Sequence, residues 1–408
     1  MSPSGNRGLT PKQLRMYLLG WFGVSAVAAI CVFAVIFAAF GGLSSGNPIT
    51  SKPTTRPPAS VTQPAAATPT TPAPAAGVSP TPRSLQDDGK FALGGQIQPY
   101  QIIEHRDQMF SAGMSWVKFQ IVWKPGLQAR AARDLIIFAH QQSFKVLVSV
   151  KGDVNPASID FAAYLDFINR MVSDKPDAVE IWNEMNFDKE WPATDINGGS
   201  YVTKMLAPAY QAIKAKSPDT LVITGAPTPT GAFGGACGSI DTGVSVVAGC
   251  DDNFYLKQMR DAGAANYADC IGVHFNSGAT SPSASTGHPN DDGTGHYSWY
   301  YQPMVDLYYP MFNKPLCFTE LGYVSSEGFG TPPVNFPWAS KVTVAQQAQW
   351  LGDTVSIARK SGKVRLVMIW NVDFPSDAPD DPKSMYAIIR PGDACPACDP
   401  LWAAMTRP

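Results

Sequence analysis

The feature that most constrains this chain is a regular alternation. Between residues 88 and 405, short apolar runs rich in β-formers alternate with longer amphipathic stretches. The runs count to eight: Phe91–Ile97, Ser115–Val122, Lys145–Val150, Ala178–Asn183, Leu221–Gly225, Cys270–Phe275, Pro315–Thr319 and Arg365–Asn371. Among the intervening helices the seventh reads most clearly. Val344, Ala348, Leu351, Val355 and Ala358 recur at helical spacing, Thr343 with Gln346 forms a capping-box pattern, and Gly362 falls where a terminating glycine belongs. The third helix starts after Asp160 and puts Phe161, Tyr164, Leu165, Ile168 and Val172 on one face. Strict alternation of this kind requires right-handed crossovers and a parallel sheet. An open doubly wound sheet would carry a G-x-G-x-x-G turn after its first strand, and "LGGQIQ" is not one. The expected fold is therefore a closed (β/α)8 TIM barrel over residues 85–408.

The residues before it are of a different kind. Residues 1–86 hold six Lys/Arg and no Asp or Glu, which leaves 25 basic against 33 acidic residues in the remainder. An acidic body argues against a nucleic-acid partner, since phosphate binding needs clustered cations. Met16 to Phe40 carries no charge; as a helix it would be about 37 Å long, against a hydrocarbon core of about 30 Å. Arg7, Lys12 and Arg15 precede it, so the positive-inside bias predicts a cytoplasmic segment 1–15, a transmembrane helix 16–40 and an exported body at the cell membrane. The alternative, a cleaved signal peptide, normally has an apolar region of only about 7–15 residues, although the small residues around Ala38–Gly42 are compatible with cleavage. Residues 41–84 are rich in Pro, Thr, Ser, Ala and Gly, with ten prolines between Pro48 and Pro82. Such a segment buries no core and reads as a disordered linker holding the body off the bilayer.

Six cysteines lie outside the apolar span, an even number that suits an oxidising compartment. Cys237 and Cys250 flank a Gly-rich loop and are expected to bridge it; Cys395 and Cys398 read as a local staple. A zinc site would need a second C-x-x-C pair, and there is none. Cys270 and Cys317 fall on neighbouring strands, where side-chain alternation is expected to point them to opposite faces. The run "NDDGTGH" at 290–296 lacks a complete calcium ligand set and reads as loop, and Glu327 as a solvated loop charge.

In such barrels the reacting groups stand at the C-terminal ends of strands. Strand four, "AVEIWNEMNF", brings Trp182, Asn183 and Glu184 to the mouth; strand seven, "PLCFTELGY", brings Thr319 and Glu320 there. Three units apart, both carboxylates can project over one cleft. Glycosidic cleavage needs that pair, one to protonate the leaving oxygen and one to attack or to activate water.

On "IWNE" at 181–184 and "FTELG" at 318–322, residues 88–405 resemble clan A of the glycoside hydrolases, especially families 5 and 39. The resemblance implies Glu184 as general acid/base, Glu320 as nucleophile of a retaining mechanism, and Asn183 on the sugar 2-hydroxyl. It likens "IGVHFN" at 271–276 to strand six, with His274 on the substrate side, and "IWN" at 369–371 to strand eight, with Trp370 under the sugar ring. Two positions depart from the pattern: Asn276 stands where a tyrosine often contacts the nucleophile, and Lys118 where an arginine is frequent. Trp191, Trp299, Tyr300, Tyr301 and Trp338 fall in mouth loops and are candidates for stacking on pyranose rings. The expectation is a monomeric retaining hydrolase of a β-linked oligo- or polysaccharide that needs no cofactor or metal. A non-catalytic carbohydrate-binding protein on a degenerate barrel and a transglycosylase are the alternatives.

Overall fold

The computed structural model describes residues 89–99, 103–241, 245–289, 291, 293, 295–334, 336–375 and 381–407. Eight parallel strands form one sheet: β1 (Ala92–Gln96), β2 (Trp116–Val122), β3 (Lys145–Lys151), β4 (Ala178–Ile181), β5 (Leu221–Thr224), β8 (Ile271–Gly278), β9 (Leu316–Tyr323) and β10 (Val364–Ile369), with two further strands, β6 (Cys237–Asp241) and β7 (Val246–Cys250), in the loop after β5. The sheet order is β5-β4-β3-β2-β1-β10-β9-β8. A parallel bridge between Ile223 and Cys270 brings its two edges together, with Thr224 N donating to the Cys270 carbonyl at 3.2 Å. Gly272 allows that closure, because a Cβ there would run into the carbonyl oxygen of Thr224. The architecture is the expected (β/α)8 barrel.

Its interior is layered. At the bottom, Ala92, Trp116, Leu147, Ala178, Ile223, Cys270, Cys317, Leu366 and Met368 pack as an apolar plug. Two residues further along the same inward rows stand Lys118, Ser149, Glu180 and Thr319, all 0% exposed. The alternate residues of each strand pack outward on the helices; Val117, Phe119, Val148, Val179 and Phe318 belong to that larger core. The expectation for Cys270 and Cys317 is corrected here, since the two are disulfide-bonded. The register pairs Ile271 with Leu316, so Cys270 and Cys317 share the same parity and both point into the barrel. The bridges Cys237–Cys250 and Cys395–Cys398 are as expected.

The helix Val344–Ser361 has the anticipated capping box and ends at Gly362 with a φ of 63°. Asp160 caps the helix Phe161–Met171 by accepting from Ala163 N at 3.0 Å, and that helix buries Tyr164, Phe167, Ile168 and Met171. Its inner face is thus rotated slightly from the expected one. The last helix, Cys398–Thr406, is longer than its apolar residues suggested. Among the described residues no helix is long and apolar enough to cross a membrane; the anchor expected at 16–40 and the linker at 41–84 lie outside them.

Candidate active site

Two local irregularities aim the carboxylates of Glu184 and Glu320. β4 stops at Ile181, and the next residues turn sharply, with Trp182 at φ 72° and Glu184 at φ 41°. Both are left-handed values that non-glycine residues adopt at a cost. The turn is held by Trp182 Nε1 donating to the Glu190 carbonyl at 2.7 Å and by Glu184 N donating to the Ala226 carbonyl at 3.0 Å. On β9 the register runs from Val273–Phe318 to His274–Glu320, so two residues of β9 oppose one step of β8. Phe318 and Leu321 both face the outer core. The extra residue of this bulge lets Thr319 and Glu320 both be accommodated on the inner side, where regular alternation would have turned Glu320 outward.

The two carboxylates converge on one imidazole. His274 Nδ1 lies 3.2 Å from Glu184 Oε1 and 3.9 Å from Glu320 Oε2. These carboxylate oxygens are therefore no more than about 7 Å apart, within reach of a single glycosidic bond. Glu184 and Glu320 are 6% and 7% exposed, so each retains an opening to solvent. Two donors reach Glu320, Lys118 Nζ at 3.3 Å from Oε1 and Asn276 Nδ2 at 2.9 Å from Oε2, and the His274 ring lies beside it with Nδ1 3.9 Å from Oε2. Burial pushes its carboxyl up, but His274 and Lys118, with the hydrogen bonds, outweigh burial and hold it below its ordinary value. His274 is wholly buried, which disfavours its charge, yet Glu320, Glu184 and Glu180 together hold its pKa above the ordinary value. Lys118 also donates to the Thr319 carbonyl at 3.0 Å.

Every residue expected at the site lies at this mouth or just beneath it. Asn183 is 4% exposed and accepts from Gln120 Nε2 at 3.3 Å. Asn276, the position that departs from the family pattern, donates to Glu320 Oε2 at 2.9 Å. Its carbonyl accepts from Tyr386 at 2.8 Å, and the Tyr386 ring stands edge-on to Trp370 at 4.8 Å. Trp370 is 4% exposed. The loop aromatics named as stacking candidates are packed against neighbouring side chains. Trp191 is packed among Trp182, Phe161 and Tyr201, and Tyr301 sits on Phe275 and Phe318. Trp299, Tyr300 and Trp338 surround His288, whose Nε2 donates to the Ser277 carbonyl at 2.8 Å. Burial pushes His288 down to about 4, so it is a neutral anchor. These rings hold loops in place. Glu327 accepts from Val344 N at the start of a helix, where an anion is favoured by the helix dipole.

The sequence reading missed several polar side chains: Glu180 on β4, Gln120 on β2, and the pair Lys151–Glu190 joined by a buried ion pair. Lys189 beside them is pushed down to about 8, chiefly by burial. Their signal was present. Glu180 and Lys151 are charges within otherwise apolar barrel strands, a placement that proteins avoid unless the charge is paired. Among the described residues no group of His, Cys, Asp and Glu is arranged to hold a metal ion.

No family model and no curated protein sequence matches this chain. Solved structures do. A family 39 glycoside hydrolase from Bacteroides cellulosilyticus WH2 superposes with a TM-score of 0.52 at 13% identity, over 79% of this chain and 65% of that one. A family 10 glycoside hydrolase from Paenibacillus barcinonensis gives 0.51 at 14% identity, over 78% and 96%. A family 10 endoxylanase from a sugarcane soil metagenome gives 0.50 at 13%, over 77% and 97%. The chain spans about two thirds of the length of the family 39 protein. Its structural neighbours are thus glycoside hydrolases of clan A, and at this identity what it shares with them is the barrel.

Proposed function

We propose that this chain is a glycoside hydrolase acting on a β-linked oligo- or polysaccharide with retention of configuration. The observation that carries the reading is the convergence of Glu184 and Glu320 on His274 Nδ1, at 3.2 and 3.9 Å, at the C-terminal mouth of the barrel. Retaining enzymes place their carboxyl groups about 5–5.5 Å apart and inverting ones about 6.5–9.5 Å. An upper bound of about 7 Å between oxygens that flank one nitrogen favours the shorter class. Glu320, ionised and held by Lys118 and Asn276, attacks the anomeric carbon while Glu184 gives its proton to the departing oxygen. A glycosyl ester forms on Glu320. Glu184, now a carboxylate, takes a proton from water, whose oxygen displaces the ester and frees the sugar. Asn183 and Trp370 are assigned to the sugar bound at this point, Asn183 at its 2-hydroxyl and Trp370 beneath the ring.

The hydrogen bond from Asn276 to Glu320 also speaks against a retired barrel, because the nucleophile keeps a donor at the position that departs from the family pattern. The test is turnover of a panel of aryl β-glycosides and polysaccharides beside a Glu320→Ala control, with the anomeric form of the first product read by NMR. Equal signals from parent and control across the panel would overturn the reading, and an inverted first product would overturn retention. Added acceptor sugars separate transglycosylation from hydrolysis. We further assign residues 16–40 to a membrane anchor and 41–84 to a tether that displays the barrel outside the cytoplasm, on the charge and hydropathy pattern of the sequence.

A further inference from the structure

Glu180 plays no part in the chemistry above, yet it is the most deeply placed acid of the site. It stands on β4 four residues before Glu184, is 0% exposed, and among the described residues neither carboxylate oxygen has a hydrogen-bond partner. A buried carboxylate in that condition is stabilised by charge alone. Two groups supply it. Lys118 Nζ lies 3.4 Å from Glu180 Oε2, and His274 Nε2, itself without a hydrogen-bond partner, lies 4.0 Å from Oε1. Each of these groups has a second contact on the catalytic pair: Lys118 on Glu320 at 3.3 Å, His274 on Glu184 at 3.2 Å. Glu180 is therefore the far member of two parallel chains, one ending on the nucleophile and one on the acid/base.

The ring geometry fixes the charge. A neutral imidazole carries one N–H, so with Glu320 3.9 Å from Nδ1 and Glu180 4.0 Å from Nε2 it would turn a lone pair toward one of these two anions. Only the imidazolium turns an N–H toward Glu320 and Glu180 together, and its Nδ1–H can donate to Glu184 Oε1 whether that carboxyl is protonated or ionised. We propose that Glu180 is a positioning residue: a buried counter-charge that keeps His274 an imidazolium and pins Lys118, and so fixes where Glu184 and Glu320 present their oxygens. The groups facing His274 are Glu320 from β9, Glu184 from the turn after β4, and Glu180. Those facing Glu180 also include Tyr164 and Tyr201, whose phenols burial pushes up and which stay neutral. Raised affinity of His274 for its proton agrees with this assignment. The consequence for catalysis rests on the glycosidase reading; the charge state of His274 does not.

The experiment is a histidine titration on the full-length chain. It has five histidines, few enough to follow one by one in a 13C-histidine-labelled sample, and the His274 signal is the one lost in His274→Gln. In the parent, His274 should titrate above 6.5. Glu180→Gln should lower that midpoint by about one unit or more, through loss of a facing anion, and Glu180→Asp should retain most of it. An unchanged midpoint in Glu180→Gln overturns the proposal. Should that variant not fold, the parent curve decides, because a midpoint at or below 6.5 also overturns it. In parallel, kcat/KM on an aryl glycoside should fall about tenfold or more in Glu180→Gln and recover in Glu180→Asp. A parent that turns over no glycoside removes the glycosidase reading and leaves the titration to judge Glu180.

Discussion

In the proposed chemistry Glu184 and Glu320 are separated by what each does with a proton, and their substitutions should differ accordingly. Glu184→Gln should lower kcat/KM by about 10²–10⁴-fold on substrates with poor leaving groups, and far less on activated aryl glycosides, which need no protonation to depart. Comparing the two substrate classes checks this. The pH profile follows from the neighbours of Glu320. Because its carboxyl is held below the ordinary value, the acid limb of kcat/KM should lie below the ordinary carboxylate range. In Lys118→Met that limb should move to higher pH by about one unit, since a facing cation is gone. Folding stability follows the same groups with opposite signs. Glu320, depressed in the folded state, contributes stability above its unfolded pKa, and this is lost as pH falls through the folded value. His274, raised in the folded state, contributes fully below its unfolded value and loses that contribution as pH rises through the folded one. At this scale the site was half legible. Acidic residues at strand ends announce themselves, whereas Glu180, though visible as a charge within an apolar strand, acquires its partners only once the register shows Lys118 and His274 facing it.

The elements were read more fully than their edges. Eight apolar runs with helices between them determine a barrel because hydrophobic period and connection handedness leave few other solutions. Periodicity carries no information about where a strand departs from regularity, however, and here the departures matter most. The bulge at Thr319 turns Glu320 inward, and the turn at Trp182 and Glu184 lifts the Glu184 carboxyl off the end of β4. The hairpin β6–β7 was also illegible, because its strands, Cys237–Asp241 and Val246–Cys250, are short and rich in small residues. Cys237 and Cys250 face each other across it and are separated by 13 residues. Replacing both by serine should lower stability by about 3 kcal/mol, the loop-closure term for a ring of this size. Chemical denaturation of the oxidised parent and the double variant measures it. The Cys270–Cys317 bridge closes a span of 47 residues, and its removal should cost about 4 kcal/mol on the same basis.

At the scale of the whole molecule, an acidic barrel follows a cationic leader with an uncharged run long enough for a bilayer. The full chain should therefore sediment with membranes and a chain begun at residue 85 should remain in the supernatant; fractionation of cells expressing each decides it. The barrel itself has two unlike walls. On one side, Glu320, Asn276, Trp370 and Tyr386 are tied to the strands and to one another. On the other, the segment after Glu184 pairs with the disulfide-bonded hairpin, through a bridge between Phe187 and Gly249 and a bond from Asp188 N to the Ala248 carbonyl at 3.0 Å. In the proposed chemistry the acid stands on the side from which the aglycone departs. The hairpin is then an interchangeable jaw: remodelling it alters which partner the sugar leaves or joins, while the grip on the sugar itself stays with the barrel.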